Sequence, residues 1–307
     1  MLNFIAVAKR IYRLDYWREA HRAVVFVVRA YLHYPAMAGF WRFFQEDVDR
    51  RAILERNAFP IEQATRAFFF KGATLSERIR LIKEHFLYLQ RQLRASFVHG
   101  LYADAPILLW RAQDGEGDWH VELASEAGQR KEGMLSLIMK CGDAYIYQAM
   151  FWIARNKEGA YSLFIGALQG PNMEHAREIV KALTKRAHRY RTKNLMLYMV
   201  RATARALSLQ HIYAVSNEGY YANNHIRRDR KLKTDFGAFW EEAGGHVTDD
   251  PRFYELPLTE ARKTEAEIPT RKRATYHRRY AMLDAIDASV ASSMDAIKKA
   301  SGTDRKD

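Results

Sequence analysis

The segment spanning residues 161–217 constrains the fold more than any other part of the chain. It reads as an apolar strand over residues 161–168, a basic helix over 174–188, an apolar helix over about 193–207, and a buried strand over 211–215. A strand that is reached through a crossover helix usually lies parallel to the strand before it. The segment therefore predicts a parallel strand pair covered by an apolar helix.

Charged and polar residues stand at the start of the apolar helix, namely Arg191, Thr192, Lys193 and Asn194. At a helix start the backbone N–H groups have no partner and the helix dipole is positive. Such a position binds phosphate groups readily. We predict that these four residues bind a phosphate-bearing ligand, with Thr192 as the N-cap. The alternative is a pair of solvated charges beside a helix start.

Two further features of the same segment extend this predicted site. Basic residues recur every four positions along the first helix and form a stripe, which consists of Arg177, Lys181, Lys185 and Arg189. We predict that Lys185 also contacts the phosphate-bearing ligand. Gln169 ends the first strand where the sheet changes direction, which is where ligands bind in α/β sheets. A solvated helix face and a simple turn are the alternative interpretations.

The flanking sequence predicts an α+β protein in three parts. Residues 1–100 read as helices, most clearly where Thr74 and Glu77 form a capping-box pair before apolar residues at helical spacing. The short apolar segments that follow, separated by turns, predict an antiparallel meander of about five strands. We expect a mixed domain over residues 101–260 and a basic helical arm with a tail over 261–307.

The excess of basic residues favours polyanionic partners. The 307-residue chain carries a formal net charge of +13, which suits nucleic acid, an anionic membrane surface or a phosphorylated small molecule. Within the C-terminal arm, basic residues alternate with Tyr276 and Tyr280. This mixture favours phosphate contacts and stacking on nucleic acid, or contact with anionic lipid. The alternative is an arm whose tyrosines pack on the main domain.

Several classes of protein are disfavoured by motifs that the sequence lacks. A single cysteine, Cys141, excludes an internal disulfide, and the histidines lack the spacing of a zinc motif, so no metal is predicted. There is no Gly-x-Ser-x-Gly, P-loop or Rossmann glycine pattern. The best membrane candidate is the short apolar run between Arg22 and Arg29, far below the length of a span. We expect a cytoplasmic protein, with peripheral attachment to the inner membrane as an option.

Short motifs in a fixed order resemble those of a known family. They are Ala167-Leu168-Gln169-Gly170-Pro171, Leu183-Thr184-Lys185, Arg191 with Lys193, Ala214-Val215-Ser216-Asn217, Phe239-Trp240-Glu241-Glu242 with Gly244-Gly245, Glu267-Ile268-Pro269, Lys272-Arg273-Ala274, Tyr276 and Arg278-Arg279-Tyr280. Over roughly residues 65–285 the set resembles the VirK/YbjX family of Gram-negative bacterial proteins. The resemblance implies a role related to the cell envelope, to virulence and to tolerance of cationic antimicrobial peptides.

The predicted order of elements is also similar to the fold of the GNAT acyltransferases. That fold has an antiparallel meander, a crossover helix, a parallel strand, a short helix and a final strand. The resemblance implies that the loop before the crossover helix binds the phosphates of a donor, either acyl-CoA or aminoacyl-tRNA. It also implies that residues after the parallel strand act at the leaving group, for which the candidates are Ser216, Asn217, Tyr220 and Tyr221.

The sequence thus supports two hypotheses of different kinds. The first is a GNAT-type acyl or aminoacyl transferase, with a pocket between the diverging parallel strands and with Arg191 and Lys193 at its rim. The second is a non-enzymatic protein that binds anionic lipid or nucleic acid through the basic stripe and arm. An enclosed pocket favours the transferase, whereas a flat basic face favours the binding protein.

Overall fold

The first hundred residues form a set of helices, as predicted. A computed structural model describes residues 2–223 and 235–300. The helices of this region are α1 (Phe4–Ile11), α2 (Trp17–Leu32), α3 (Tyr34–Gln45), α4 (Val48–Arg56), α5 (Phe59–Thr65), α6 (Leu75–Gln92) and α7 (Ala95–Leu101). The capping box at the start of α6 is confirmed, because Thr74 Oγ1 accepts the Glu77 N–H and Glu77 Oε2 accepts the Thr74 N–H. The two bonds satisfy donors that the helix itself leaves free.

Eight strands of the described chain form one mixed sheet. They are β1 (Ile107–Arg111), β2 (Trp119–Ala124), β3 (Leu135–Cys141), β4 (Ala144–Arg155), β5 (Tyr161–Gln169), β6 (His211–Val215), β7 (His246–Val247) and β8 (Phe253–Leu256). Their order in the sheet is β1-β2-β3-β4-β5-β6-β8-β7. The strands β1 to β5 form the predicted antiparallel meander, and β6 pairs with β5 in the predicted parallel direction. The short edge strand β7 was not predicted.

Helices after the meander cover one face of the sheet. They are α8 (Ala176–Arg186), α9 (Thr192–Ala206), α10 (Phe236–Glu242) and α11 (Arg273–Ile297). Almost all of α9 is buried, as expected for a helix that is apolar over most of its surface. It contacts β3, β4 and β6, and α11 packs beside it and on β1.

The C-terminal segment is a helix, as predicted, but it is part of the core. Leu283, Ile286 and Val290 of α11 are buried, and the hydroxyl of Ser289 donates to the carbonyl of Leu109 in β1 at 2.8 Å. At its basic start, His277 pairs with Glu265 at 2.7 Å. The interpretation of this segment as an arm that packs on the main domain therefore describes it best. Residues 301–307 of the predicted tail lie outside the described part of the chain.

The start of α9 differs from the prediction by one residue. The N-cap is Arg191, whose backbone is extended and whose side chain makes no capping bond, and Thr192 is the first helical residue. Thr192 is buried, because it lies on the side of the helix that faces the sheet. The prediction of Thr192 as the N-cap was wrong, since its hydroxyl suggested a cap but its position inside the protein decided its place.

Neither α2 nor any other single helix of residues 2–223 and 235–300 is long and apolar enough to cross a membrane. By length and composition alone, α2 and α3 reach that threshold together, with a bend of 101° between them.

A buried histidine joins the helical region to the sheet. β4 extends beyond β3, and α6 covers the edge that this leaves: Nδ1 of His85 accepts the Ile153 N–H at 3.1 Å, and Glu84 accepts the Arg155 N–H at 2.9 Å. The other ring nitrogen of His85 lies 3.1 Å from the Tyr102 hydroxyl. Complete burial lowers the pKa of His85 to about 3, so the ring is neutral at ordinary pH.

We predict that His85 makes the fold sensitive to acid. Because its pKa is lower in the folded state, the unfolded chain binds a proton that the folded chain does not, as pH falls below about 6.5. Between about pH 6.5 and 4.5 the wild type should lose about 1.4 kcal/mol per pH unit relative to His85→Gln, whose amide oxygen can still accept the Ile153 N–H. Urea unfolding across this range measures the difference. His175→Gln, at an exposed histidine, is the control, and equal pH slopes in wild type and His85→Gln would contradict the prediction.

Candidate functional site

The parallel strands β5 and β6 separate at Gly166. Their pairing ends at Ile165 opposite Ala214, and the pairing of β5 with β4 skips Gly166, because Met150 pairs with Ala167 and Phe151 with Ile165. A Cβ atom on Gly166 would lie 1.7 Å from the carbonyl oxygen of Glu132. The connection between β2 and β3 therefore lies directly against β5 where the strands diverge, and only glycine fits there.

Glu132 and Tyr220 form a buried acidic pair beside this point. The Tyr220 hydroxyl donates to Oε1 of Glu132 at 3.2 Å, and Tyr221 makes a second hydrogen bond to the same carboxyl group. Glu132 is only 8% exposed. Burial raises its pKa, although Lys131 and the two tyrosine hydroxyls oppose this effect. Burial and the nearby Glu132 also raise the pKa of Tyr220.

The backbone fixes the position of Tyr220. It pairs with Phe70 in an isolated antiparallel β-bridge, and the Lys71 N–H donates to the carbonyl of Gly219 at 2.8 Å. The N-terminal helical region thus delivers Phe70 to the loop that follows β6. Of the predicted leaving-group residues, Tyr220 and Tyr221 are brought together with an acid, which the sequence did not reveal.

Ser216 and Asn217, also predicted at the leaving group, make hydrogen bonds to the surrounding loops. The Ser216 hydroxyl donates to the carbonyl of Pro251 at 2.7 Å and accepts the Gly219 N–H at 3.0 Å. The Asn217 side chain donates to Asp235 at 2.7 Å and accepts the Phe236 N–H at 2.8 Å. These bonds hold the loop after β6 and the start of α10 in place.

Arg191 and Lys193 point towards α10. The Arg191 guanidinium lies 2.6 Å from a carboxylate oxygen of Glu242, and both side chains are exposed. The Lys193 ammonium lies 3.5 Å from the centre of the Phe239 ring, and burial lowers its pKa while Glu242 and Asp235 oppose this effect. Both predicted phosphate-binding cations therefore have partners in the protein.

A cavity of about 330 Å³ lies at the end of β5 that contains Gln169. Its walls include Tyr147, Gln148 and Gln169, and Gln129 donates to the side-chain oxygens of both glutamines. Burial raises the pKa of Tyr147, and the nearby Thr192 of α9 opposes this effect; Oγ1 of Thr192 is itself buried without a hydrogen-bond partner among the described residues. Of the predicted ligand-binding residues, Gln169 lines this cavity, whereas Arg191, Thr192, Lys193, Asn194 and Lys185 do not.

The first turn of α9 contains a second polar group of interest. Oδ1 of Asn194 is buried and, among the described residues, has no hydrogen-bond partner. An unpaired buried acceptor costs roughly 1–3 kcal/mol. A ligand with a donor group would remove this cost, so Asn194 remains a predicted binding residue.

A groove of about 540 Å³ lies between α6 and the sheet strands β4, β5, β6 and β8. Its floor is a row of aromatic side chains from β4, β5 and β6: the Trp152 and Phe164 rings stack at 5.4 Å, and the Phe164 and Tyr213 rings at 5.0 Å. Charged side chains of both signs line its rim, which includes Glu77, Arg80, Arg155, Asp249, Arg252 and Glu255. The sequence predicted no groove here.

Two basic features that are distant in sequence meet on one surface. The four side chains of the predicted stripe are exposed, but the helix is shorter than predicted: α8 ends at Arg186, and Arg189 lies beyond it with a left-handed backbone. At the end of this helix the Arg279 guanidinium of α11 donates to the carbonyls of His188 and Arg189, at 3.1 and 3.2 Å. Burial and the nearby Arg278 and Arg279 lower the pKa of His188. We call this surface, formed by the stripe with Arg278 and Arg279, the basic surface.

Comparison with known proteins shows the family. Residues 15–292 match the family described as "Protein of unknown function (DUF535)", and the chain belongs to this family. It is 32% identical over 228 residues to "Uncharacterized protein YbjX" of Escherichia coli, covering 72% of this chain and 68% of the relative. The predicted membership of the VirK/YbjX family is thereby confirmed.

Two further relatives are similar to this chain. An uncharacterized protein of Haemophilus influenzae is 30% identical over 223 residues, 71% of this chain and 70% of that protein. A protein named "Membrane protein LapB" from Mannheimia haemolytica is 24% identical over 191 residues, 61% and 80% of the two chains. No solved structure shows a significant match.

We predict that Glu132 makes the protein less stable at neutral pH. Because its pKa is raised on folding, the folded chain retains a proton that the unfolded chain releases, so stability falls as pH rises above about 4.3 through the folded pKa. Glu132→Gln can still accept the Tyr220 hydroxyl bond and has no charge to bury. It should be more stable than wild type at pH 7, and the difference should vanish near pH 4, as chemical denaturation at both pH values would measure.

The control for this prediction is Glu158→Gln in the exposed turn between β4 and β5, which should leave stability unchanged at either pH. A Glu132→Gln protein that is less stable than wild type at pH 7 would mean that the carboxylate is stabilised in the folded state.

Proposed function

We propose that this protein is a transferase of GNAT type whose reactive centre is the Glu132–Tyr220 pair. The observation that carries the proposal is a buried carboxyl group of raised pKa, hydrogen-bonded to a tyrosine where two parallel strands separate. Titratable groups with shifted pKa values are concentrated at functional sites, and ligands bind where the order of an α/β sheet changes.

The order of elements supports the proposal. β5, α9 and β6 form a crossover unit with parallel strands, followed by α10 and then by β8, which pairs with β6. This is the sequence of elements for which the resemblance to GNAT acyltransferases was noted. The gap after Ile165 then lies where the reactive part of a donor would enter between the strands.

A proton relay accounts for the chemistry. The amine of an acceptor would attack the acyl carbonyl, forming a C–N bond and breaking the bond to the thiol of acyl-CoA or to the ribose oxygen of aminoacyl-tRNA. Glu132 would take the proton from the amine, and Tyr220, which stays protonated because its pKa is raised, would give its proton to the leaving group. Tyr220 then regains a proton from Glu132 through their hydrogen bond.

The two cavities offer places for donor and acceptor. Gln169, Thr192 and the free acceptor of Asn194 would contact the donor near the start of α9, where N–H groups favour phosphate. To bind that phosphate, Arg191 would have to release Glu242, and Lys193 would have to leave the Phe239 ring. Lys185 would approach the phosphate from α8. The acceptor would lie in the aromatic groove, which Phe70 also lines and which the bridge from Phe70 to Tyr220 connects to the reactive centre.

An acceptor in the cell envelope fits the relatives. The VirK/YbjX resemblance implies a link with virulence and tolerance of cationic antimicrobial peptides, and one relative is named a membrane protein. The enzyme would then work in the cytoplasm or at the inner face of the inner membrane, on an amine-bearing envelope component.

The first experiment identifies the donor and measures catalysis. Native mass spectrometry of protein from a Gram-negative host should show a bound CoA species or tRNA, and that donor is then used in steady-state assays. Tyr220→Phe should lower kcat by about 10²–10⁴-fold with little change in KM, because general acid catalysis contributes about this factor. Tyr16→Phe, at an exposed tyrosine far from both cavities in the chain, is the matched control. Full activity of both Tyr220→Phe and Glu132→Gln would refute this centre.

The basic surface supports a second candidate function, a non-enzymatic protein that binds nucleic acid or anionic lipid. Its stripe makes no ion pair among the described residues, and it joins the start of α11 into one exposed face. Under this hypothesis Lys181→Gln with Lys185→Gln should weaken binding to RNA or to anionic vesicles and reduce its salt dependence. Tyr220→Phe should have no effect on that binding.

A further inference from the structure

Helix α2 has three distinct surfaces. One is buried against the helical core and contains Ala23, Phe26 and Ala30. A second, on the opposite side, is apolar but exposed. It consists of Trp17, Val24, Val28, Tyr31 and Leu32, which recur at the helical spacing of three, four and seven residues, and the exposed His21 lies in the same row. We call it the exposed apolar face.

The exposure of this face is extensive. Trp17 is 70% exposed and Leu32 is 73% exposed, and Leu14 and Tyr16, just before the helix, are exposed as well. Single exposed apolar residues are normal, but a contiguous patch with aromatic residues marks an interaction site. The sequence alone did not distinguish this face from the core, because apolar residues occur on both sides of the helix.

The third surface of α2 is basic and runs beside the exposed apolar face. Arg18, Arg22 and Arg29 follow one another at helical spacing, so they lie on one flank. Arg22 pairs with Glu19 at 2.6 Å, and Arg29 donates to the carbonyl of Thr65, whereas Arg18 is exposed. Residues 2–33 contain six Lys or Arg and two Asp or Glu, so this part of the molecule is strongly positive.

We propose that α2 docks the protein on an anionic phospholipid surface, lying in the plane of the bilayer interface. The exposed apolar face would enter the boundary between headgroups and acyl chains, and the arginine flank would contact the lipid phosphates. An apolar face beside a row of basic residues is the pattern of interfacial helices, and basic residues near a membrane surface add attraction to anionic lipid. Trp17 and Tyr31 suit the headgroup level.

Charge complementarity favours lipid over a second copy of the chain. In a symmetric dimer the second copy presents the same patch, so it brings the same basic residues and no row of opposite charge to the arginine flank. An anionic bilayer instead supplies the opposite charge along the whole flank. The inference is independent of the reactive centre, because Glu132 and Tyr220 lie elsewhere in the fold.

Flotation of the full chain with vesicles tests the proposal. Wild type should bind vesicles of phosphatidylglycerol and phosphatidylcholine, bind pure phosphatidylcholine weakly, and lose binding as salt increases. Val24→Gln with Val28→Gln and Leu32→Gln should lower affinity roughly tenfold or more, and Arg18→Gln should lower it mainly on anionic vesicles. Val48→Gln on α4 and Val247→Gln on β7, at similarly exposed valines, are matched controls and should bind like wild type.

The outcomes distinguish a lipid surface from a second copy of the chain as the partner of the exposed apolar face. Circular dichroism must show wild-type helix content in the triple variant, and Val24→Gln with Val28→Gln alone should give an intermediate affinity. Wild type that ignores anionic vesicles, or a triple variant that binds equally well, would overturn the proposal. A wild-type dimer that the triple variant converts to a monomer would assign the face to self-association instead. Loss of vesicle binding in a variant that keeps transferase activity would separate this inference from the proposed function.

Discussion

The contact between the backbone of Glu132 and Gly166 determines the arrangement of the central site. The carbonyl of Glu132 occupies the space that a side chain at position 166 would need, so β5 takes up an extra residue there and its pairing with β4 shifts. A bulge of this kind bends a strand and ends regular pairing. The pairing of β5 with β6 then ends at Ile165 and Ala214, and the residue whose carbonyl lies at this point, Glu132, binds the hydroxyl of Tyr220 from the loop after β6.

The basic character of the chain has two separate origins in the fold. Part of it is structural: the buried Arg201 donates to the carbonyls of Pro257 and Ala243, and Arg78 donates to the carbonyl of Ala64. These guanidinium groups satisfy loop carbonyls inside the protein, where unpaired acceptors would be costly. Other basic residues are exposed, among them those of the basic surface and of α2. The net charge alone therefore overstates how much charge is available for a polyanion.

Regular elements could be predicted from the sequence because their signals are local. The Thr74–Glu77 capping box, the apolar crossover helix and the limits of β6 and β8 each depend on a few neighbouring residues. Glu132 carries no such signal, since it follows a short loop and its burial arises from contact with Gly166 and Tyr220, distant in sequence. The same holds for Lys193, whose charge suggested a phosphate but whose neighbour is the Phe239 ring. Local patterns do not contain these tertiary contacts.

Two buried carboxyl groups of the chain show why Glu132 is the better functional candidate. Glu62 is 1% exposed, but Arg130 pairs with it at 2.7 Å and the Tyr12 hydroxyl donates to it at 2.9 Å, so its charge is compensated and its role is structural. Glu132 has tyrosine hydroxyls and the nearby Lys131 instead, which do not overcome the effect of burial on its pKa. A carboxyl group held in this way costs folding free energy. A raised pKa also moves the carboxyl group in the direction that acid–base catalysis needs.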